Sequence, residues 1–216
     1  LPFMGATLQG EFRELCGLVP ATLRVESVPD VNECLPHRLK SQGWSTQAFH
    51  GASSKMYHRD RLYPALGFER NYFMQQLISK SVRCNSIPGT CDYSIAPQVV
   101  NTLRRDGKQF TYCLTLNSHL PYRESDLSSL KVKNEVCPIL QLKGSRCTHA
   151  ALVYDFMISL KGALTGHPIP GLQIVLVGDH MPKFFELEPR ADFYEGAVPY
   201  INLKVPSEAE AIALED

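Results

Sequence analysis

Segments with the pattern of β-strands alternate with segments with the pattern of α-helices along this chain. The predicted strands are 45–49, 109–116, 172–177 and 198–205, and the predicted helices are 7–18, 33–43, 60–66, 95–105 and 148–164, with 71–80 as a further candidate. Such alternation is typical of an α/β fold with a mostly parallel central sheet flanked by helices. The apolar run Leu172–Val177 has the composition of a strand near the centre of that sheet.

The length and composition are those of one globular domain. The chain has 216 residues, of which 44% are hydrophobic, and this is enough to bury a sizeable core. We assign the domain to residues 1–206 and interpret 207–216 as an acidic tail. The 22 basic and 22 acidic residues balance, so the chain as a whole has no electrostatic attraction for nucleic acid.

The sequence contains neither a membrane-span pattern nor a signal-peptide pattern. No apolar run approaches the roughly 18 residues that a spanning helix needs. The first residues, Leu1-Pro2-Phe3, lack an initiator methionine and a basic segment. We therefore interpret the N-terminus as a cut edge and expect any signal peptide or membrane anchor to lie outside this chain.

The spacing of the seven cysteines indicates disulfides, since no pair has the C-x-x-C spacing of a metal site. Two pairs, Cys84–Cys91 and Cys137–Cys147, bracket short turn-rich or polar stretches and are predicted to be bonded. Cys16 and Cys34 form a third candidate pair, whereas Cys113 lies in an apolar run and is predicted to be a free, buried thiol. This pattern favours an oxidising compartment over a cytosolic set of reduced cysteines.

Polar residues with functional chemistry follow the predicted strands or begin a helix. In a parallel α/β sheet such positions meet at one rim, where ligands bind. The candidates are Thr7, His50, Tyr57, Arg59, His119, Asp179 and His180. Together they would place one carboxylate, several imidazoles, a guanidinium and a hydroxyl on one rim, which suits a divalent metal and a phosphate group.

Each candidate also has a structural interpretation. Thr7 has the position of a helix N-cap, and a histidine after a strand is commonly a core or turn residue. Arg59 is either solvated or, beside His50, a bidentate clamp on phosphate. The pair Asp179-His180 indicates zinc or manganese more directly, because carboxylate and imidazole are good ligands for these ions. The preceding Gly178 lets the backbone turn close to a metal.

The motifs, in this order, resemble the alkaline-phosphatase and sulfatase superfamily. Within it they are most similar to the branch of lipoteichoic acid synthases and phosphoglycerol transferases, and the phosphoethanolamine transferases share much of the pattern. The matching segments are Gly5–Phe12, Leu35–Trp44, Phe49–Gly51 with Tyr57–Asp60, Thr115–Tyr122, Val177–His180 and Val198–Pro206. Singly each motif has little specificity, but six in the same order are specific to the superfamily.

The resemblance implies a metal-dependent phosphotransferase and gives each candidate residue a role. Thr7 falls on the nucleophile, a metal-activated threonine that becomes phosphorylated, and Asp179 and His180 fall on metal ligands. The substrate-binding positions of the family fall on His50, Tyr57, Arg59 and His119. Tyr57 stands where the branch often has a tryptophan, and an aromatic ring there still packs against a substrate glycerol.

The implied reaction transfers a phosphoglycerol or phosphoethanolamine group from a membrane phospholipid to a cell-envelope glycan or lipid through a phosphothreonine. The resemblance also implies zinc or manganese as cofactor, no nucleic-acid partner and a monomer. The implied location is the periplasmic or extracellular face of a bacterial inner membrane. Contact with the membrane would then be made by an N-terminal segment that this chain lacks.

One element of the family pattern has no counterpart in this sequence. The family has a further metal ligand, a glutamate at the end of its first strand, upstream of the nucleophile. Only six residues precede Thr7 and none of them is acidic, so we expect the first strand and this ligand to be missing, and the isolated chain to bind metal weakly or to be inactive. Glu11 and Glu14, which follow Thr7 on its predicted helix, are not expected to replace the ligand.

Two other functions fit parts of the sequence. The segment Cys34-Leu-Pro-His-Arg38 matches the C-x-P-x-R signature of a sulfatase formylglycine, although Thr7 occupies the place where that nucleophile is expected. One alternative is therefore a sulfatase or phosphodiesterase hydrolase of the same superfamily. The other is a degenerate, non-catalytic binding domain, which the absent glutamate favours and the retained Thr7, His119 and Asp179-His180 oppose.

Overall fold

The computed structural model describes residues 5–18, 31–77, 81–165, 167–185, 193–194 and 196–206. The predicted tail, 207–216, and residues 78–80 of the candidate helix lie outside these ranges. In the described part of the chain the helices are α1 Thr7–Cys16, α2 Leu35–Ser41, α3 Arg59–Ala65, α4 Met74–Leu77, α5 Asp92–Leu103, α6 Leu130–Leu140 and α7 Gly144–Thr165. The strands there are β1 Ser45–His50, β2 Arg70–Tyr72, β3 Arg83–Cys84, β4 Gly89–Thr90, β5 Gln109–Leu114, β6 Gln173–Val177 and β7 Tyr200–Lys204.

The central sheet is parallel and consists of β2, β1 and β5, with β1 in the middle. Successive side chains of β1 point to opposite faces of this sheet. Ala48 packs in a cluster with Leu8 of α1 and Leu62 of α3, whereas Phe49 packs with Ile95 of α5. Helices therefore cover both faces, and the prediction of a parallel sheet flanked by helices is confirmed.

The apolar strand β6 does not lie at the centre of this sheet, so that prediction was wrong. β6 pairs antiparallel with β7, placing Val175 opposite Asn202, and Val175 is 46% exposed. An apolar run signals a strand but does not identify its neighbours. The buried middle strand is instead β1, whose polar side chains are satisfied internally: Thr46 Oγ1, for example, donates to the carbonyl of Gly67 at 2.7 Å.

Helix α1 begins at the predicted residue and ends two residues before the predicted end. Leu8, Phe12 and Leu15 recur at helical spacing and are each at most 3% exposed, which fixes the face that α1 turns toward the sheet. The helix ends where Gly17 adopts a φ of 66°, a left-handed conformation that glycine adopts without steric cost.

Helix α6 was missed by the sequence analysis, which interpreted the stretch between Cys137 and Cys147 as a polar loop. Cys137 instead lies within α6 and Cys147 in the first turn of α7, so their disulfide joins two packed helices. The other predicted disulfides, Cys16–Cys34 and Cys84–Cys91, are also formed, and Cys113 is a free thiol. All of the predicted cysteine pairings are therefore present.

The candidate helix at 71–80 is replaced, in its described part, by the end of β2 and the short helix α4. The last predicted strand, 198–205, is shorter in the structure, Tyr200–Lys204, and antiparallel to its neighbour. Among the helices of the described residues, none has the length and apolar character that crossing a bilayer requires.

Candidate functional site

The hydroxyl of Thr7 faces His180, at the point where α1 meets the end of β6. Thr7 Oγ1 lies 3.1 Å from His180 Nε2. Thr7 is the first residue of α1, and the capping position is held by Ala6, whose N–H donates to Gln9 Oε1 at 3.0 Å. The N-cap interpretation of Thr7 is therefore wrong, and its hydroxyl is directed at an imidazole instead.

His180 is held in one tautomer by the backbone beside it. Its Nδ1 lies 2.7 Å from the carbonyl oxygen of Met181, which only accepts, so Nδ1 carries the proton. Nε2 lies 3.1 Å from Thr7 Oγ1 and 3.5 Å from Asp179 Oδ2. A histidine oriented through its other nitrogen by a carbonyl has the arrangement of a metal ligand.

The Thr7 hydroxyl, the His180 imidazole and the Asp179 carboxylate form a donor set that fits a divalent cation. The separations of 3.1 and 3.5 Å around His180 Nε2 lie on either side of the roughly 3.3 Å between neighbouring ligands of a tetrahedral ion with bonds of about 2.0 Å. One imidazole and two oxygen donors suit zinc or manganese. The side chains present are thus compatible with the metal that the resemblance implies.

Close packing between α1 and the β6 end brings Thr7 to this place. A Cβ atom at Gly10 would lie 2.6 Å from the carbonyl oxygen of Asp179, so only glycine permits the observed approach. Arg13, one turn further along α1, donates from Nη2 to the carbonyl of Gly178 at 2.8 Å. Two contacts from one helix therefore fix the segment that carries Asp179 and His180.

His119 lies on the exposed side of the same centre. Its ring is perpendicular to that of His180, with 6.0 Å between the ring centroids. Its Nδ1 lies 2.7 Å from the carbonyl oxygen of Leu120. His119 is thus exposed and near His180, and its role as a phosphate contact stays a prediction.

His50 and Arg59 are brought together but are buried, at 2% and 1% exposure. Arg59 Nη2 donates to Glu11 Oε2 at 2.6 Å, and Tyr63 donates its hydroxyl proton to Glu11 Oε1 at 2.6 Å. His50 Nε2 lies 3.4 Å from Arg59 Nη1, and Nδ1 lies 3.0 Å from the carbonyl of Leu114. In this conformation Arg59 holds a carboxylate of the protein itself.

Burial and the adjacent positive charge keep His50 neutral. Burial, with a further contribution from the Arg59 charge, lowers the pKa of His50 to about 3. A neutral His50 donates from Nδ1 to Leu114 and accepts at Nε2 from Arg59, which is consistent with both distances. The substrate-binding roles of His50 and Arg59 stay predictions.

Tyr57 is the member of this group that reaches solvent. Its ring is 48% exposed and lies under the guanidinium of Arg59, 5.0 Å from ring centroid to Cζ. Tyr57 and the following His58 both have a positive φ, of 54° and 52°, which side-chain-bearing residues adopt at a cost. The loop is therefore held in an unfavourable backbone conformation that presents the Tyr57 ring next to Arg59.

Other acidic and cysteine residues do not form a second metal centre in the part of the chain that the structure describes. The group there with suitable spacing is Cys84, Cys91 and Asp126, but the two cysteines are joined in a disulfide and offer no thiolate. Glu11 is occupied by Arg59 and Tyr63, and Glu14 pairs with Arg13. The expectation that neither glutamate acts as a metal ligand agrees with these contacts.

The formylglycine interpretation of Cys34 conflicts with the structure. Cys34 is fully buried, caps α2 and is bonded to Cys16. A formylglycine requires a cysteine whose Sγ is replaced by an aldehyde oxygen, and that is incompatible with the disulfide. The match to C-x-P-x-R is therefore accidental.

Glu11, Gly10 and Arg13 support the site and were not identified as supporting residues from the sequence. All three lie on α1 within two turns of Thr7. Glu11 follows Thr7 by four residues, a spacing that places two residues on one face of a helix. This spacing is the feature of the sequence that could have identified Glu11. Its partner Arg59 lies 48 residues away in the sequence, so the pairing itself had no local signature.

Several solved structures share the fold. The lipoteichoic acid synthase LtaP from Listeria monocytogenes superposes with a TM-score of 0.69 at 18% identity, covering 94% of this chain and 54% of that one. The Streptococcus pyogenes phosphoglycerol transferase GacH, in complex with sn-glycerol-1-phosphate, gives 0.61 at 19% identity, with 93% and 55% covered. The C-terminal periplasmic domain of EcEptC from Escherichia coli, in complex with Zn, gives 0.59 at 16% identity, with 97% and 61% covered.

Sequence comparison gives a curated relative and a family. The capsular polysaccharide biosynthesis protein RkpI of Rhizobium meliloti (strain 1021) is 24% identical over 212 residues, which cover 88% of this chain and 36% of RkpI. The chain thus spans about a third of that relative and between a half and two thirds of the three solved chains. The family model described as Sulfatase matches residues 2–201. Because this family model matches nearly its whole length, the chain belongs to the sulfatase family.

Proposed function

We propose that this chain carries the catalytic centre of a cell-envelope phosphotransferase with Thr7 as its nucleophile. The observation that carries the proposal is the 3.1 Å approach of Thr7 Oγ1 to His180 Nε2, between residues 173 positions apart. The Thr7 hydroxyl does not cap its helix, and it faces a histidine whose tautomer suits a metal. This is the arrangement of an activated hydroxyl nucleophile.

Thr7, Asp179 and His180 are the residues that would hold a divalent cation. When bound, such a cation lowers the pKa of the threonine hydroxyl and offsets negative charge on the phosphate oxygens. The zinc in the EcEptC structure supports zinc, and manganese is the second candidate for the same donors.

The donor is proposed to be a phosphatidylglycerol or phosphatidylethanolamine. Thr7 Oγ forms a bond to the phosphorus, and the bond from phosphorus to the diacylglycerol oxygen breaks. The proton that the Thr7 hydroxyl gives up is transferred to that oxygen, which leaves as diacylglycerol. The N-terminus of α1, a helix of ten residues, directs its backbone N–H groups and its dipole toward the phosphorylated Thr7 and stabilises its charge.

The second step moves the phosphoryl group to the acceptor. An acceptor hydroxyl forms a bond to the same phosphorus, the Thr7 oxygen leaves, and Thr7 regains a proton. We propose that His119, exposed beside His180, contacts the transferred phosphate and that Tyr57 packs against the headgroup. His50 and Arg59 complete the proposed substrate-binding set. In the conformation described above both are buried: Arg59 contacts the Tyr57 ring, and His50 contacts Arg59.

The proposed partners are a membrane phospholipid as donor and an envelope glycan or lipid as acceptor. The names of LtaP, GacH and RkpI support this class, because they refer to lipoteichoic acid, phosphoglycerol and capsular polysaccharide. Three disulfides support an oxidising location, and a periplasmic or extracellular site at a bacterial inner membrane satisfies both requirements. We propose a monomer that works without nucleic acid.

Replacing the nucleophile tests the proposal directly. The full-length protein is incubated with Zn²⁺ and vesicles of phosphatidylglycerol labelled in the headgroup glycerol, and covalent label on the Thr7 peptide is measured by mass spectrometry. Native protein should become labelled, and Thr7→Ala should lose the label and turnover while its melting temperature stays nearly unchanged. Unlabelled native protein that still bound the vesicles would instead favour the non-catalytic binding domain.

Ser129→Ala is the matched control. Ser129 is a true N-cap, which accepts a hydrogen bond from the N–H of Lys131 at 3.2 Å. Its removal should cost about 1 kcal/mol of stability and leave labelling intact. If Thr7→Ala behaved in the same way as Ser129→Ala, Thr7 would be a structural residue.

A further inference from the structure

The position of His119 depends on the loop that follows β5. The hydrogen bond of the His119 ring is to the carbonyl of the adjacent Leu120, so this contact moves with the loop and does not fix it. His119 N–H donates to the carbonyl of Leu116 at 3.2 Å, which closes a turn over residues 116–119. Whatever secures Leu116 and Asn117 therefore sets where His119 lies relative to His180.

Asp92 secures the start of that turn. Its carboxylate accepts from the N–H of Leu116 at 2.8 and 2.9 Å and from the N–H of Asn117 at 2.6 Å. In return Asn117 Oδ1 accepts from the N–H of Asp92 at 2.7 Å. Asp92 and Asn117 are 5% and 2% exposed, so these bonds are protected from competing water.

The exchange of hydrogen bonds joins the loop to the first turn of α5. The N-cap of α5 is Cys91, whose side chain makes no capping bond, and the Asn117 amide oxygen supplies an acceptor there. The disulfide to Cys84 fixes Cys91 covalently, and Asn117 Nδ2 lies 2.8 Å from Cys84 Sγ. Helix start, disulfide and His119 loop are thus one connected unit.

We propose that Asp92 and Asn117 are positioning residues that hold His119 at the Thr7–His180 centre, with the Cys84–Cys91 disulfide as their anchor. The inference rests on the proposed function, since its consequence is measured on phosphoryl transfer. Neither residue contacts the reacting atoms, and each acts through the backbone of the loop. Loss of the unit displaces the phosphate contact and leaves the metal donors in place.

Asp92→Asn is the first test, because it keeps the side-chain shape and exchanges one acceptor oxygen for an NH₂ donor. With vesicles of phosphatidylglycerol, kcat should fall about 10- to 100-fold, the loss typical of a displaced catalytic contact, with KM changed less than about threefold. Zn²⁺ affinity, measured by calorimetry with the metal alone, should be unchanged. Asn117→Ala keeps the Asp92 carboxylate and removes only the hydrogen bonds of the Asn117 side chain. Its kcat should also fall, by a smaller factor, with KM and Zn²⁺ affinity again nearly unchanged.

A double-mutant comparison separates positioning from general destabilisation. If Asp92 acts through His119, then adding Asp92→Asn to His119→Ala should cause little further loss, because the contact is already gone. If the loss of kcat in the double variant equalled the product of the two single losses, the proposal would be overturned. An unchanged kcat in both Asp92→Asn and Asn117→Ala would also overturn it.

The two short-range disulfides provide a matched control. Cys84→Ser with Cys91→Ser should lower kcat, whereas Cys137→Ser with Cys147→Ser, in the α6–α7 hairpin, should lower thermal stability and leave kcat near native. Equal effects on kcat would overturn the anchor role. Absence of a Thr7 adduct in native protein would reject the proposed function itself, whereas a normal adduct with a fully active Asp92→Asn would reject only this inference.

Discussion

At the scale of single residues, His50 shows how burial sets a protonation state. It ends β1, is 2% exposed, and lies between the guanidinium of Arg59 and the carbonyl of Leu114. Burial first, and the Arg59 charge second, lower its pKa from 6.5 to about 3. The folded chain therefore contains a neutral imidazole at this position under all but strongly acidic conditions.

This shift predicts a specific loss of stability in acid. Between pH 6.5 and 3 the unfolded chain protonates His50 and the folded chain does not, so the free energy of unfolding falls as the pH falls. The contribution of His50 is about 2 kcal/mol by pH 5 and about 4 to 5 kcal/mol at its limit, from the pKa values of 6.5 and about 3.

His50→Gln isolates this contribution, because glutamine supplies a donor and an acceptor and does not titrate. The variant should be less stable than native protein at pH 7, and the difference should shrink by about 2 kcal/mol between pH 7 and pH 5. Urea unfolding at the two pH values measures it. Burial lowers the pKa of the half-buried His149 to about 4 and raises the pKa of the buried Asp92 to about 7. Both groups titrate in both proteins and cancel, so parallel pH profiles would contradict the assignment.

At the scale of elements, the Glu11–Arg59 pair connects α1 to α3 across the core. Both side chains are 1% exposed, and Tyr63, also on α3, donates a further hydrogen bond to Glu11. The pair orients α1 about its axis and so turns Thr7, four residues before Glu11, toward His180. Arg59 also lies over the Tyr57 ring. The Glu11–Arg59 ion pair therefore positions both Tyr57, a proposed substrate-binding residue, and Thr7, the proposed nucleophile.

Removing one member of this pair should be far more costly than removing both. Arg59→Met leaves an uncompensated buried carboxylate and should cost about 3 to 5 kcal/mol, whereas the double change Glu11→Leu with Arg59→Met should recover most of that stability. Urea unfolding gives both values. Thr7 labelling should stay low in the double variant, because Arg59 and the Tyr57 contact are still absent. A double variant no more stable than Arg59→Met would show that the pair is not an isolated buried interaction.

At the scale of the whole molecule, the longer elements other than α6 were predictable, whereas the short strands β2, β3 and β4 and the long-range pairing of strands were not. Local patterns placed α1, β1 and β5 within a few residues. The rule that parallel strand ends meet at one rim predicted that Thr7, His119 and His180 lie close together, but His180 reaches this place from β6, which lies outside the parallel sheet. The predicted position of β6 was wrong, because its pairing with β7 depends on contacts between residues that are distant in the sequence. Arg59 likewise follows the strand as predicted, but its burial against Glu11 depends on how α1 packs.

The contact between α1 and the β6 end gives a final test of how the whole chain builds the centre. A Cβ at Gly10 would meet the Asp179 carbonyl at 2.6 Å, whereas one at Gly162, exposed on α7, meets nothing within 4 Å. Gly162→Ala should therefore stabilise the protein by about 0.5 to 1 kcal/mol through helix propensity alone. Gly10→Ala gains the same propensity, but it forces α1 away from Asp179 and should cost a net 1 to 3 kcal/mol, roughly the penalty of overpacking.

The functional consequence of Gly10→Ala follows from the same displacement. Moving α1 separates Thr7 from Asp179 and His180, so Zn²⁺ affinity and Thr7 labelling should fall together, whereas Gly162→Ala should leave both at the native level. Calorimetric Zn²⁺ titration and thermal melting of the two variants provide the measurements. If Gly10→Ala stabilised the chain as Gly162→Ala does, α1 would not be in contact with the Asp179 backbone. The proposed nucleophile and metal donors would then have to be brought together by another element, because Thr7 and His180 are 173 positions apart in the sequence.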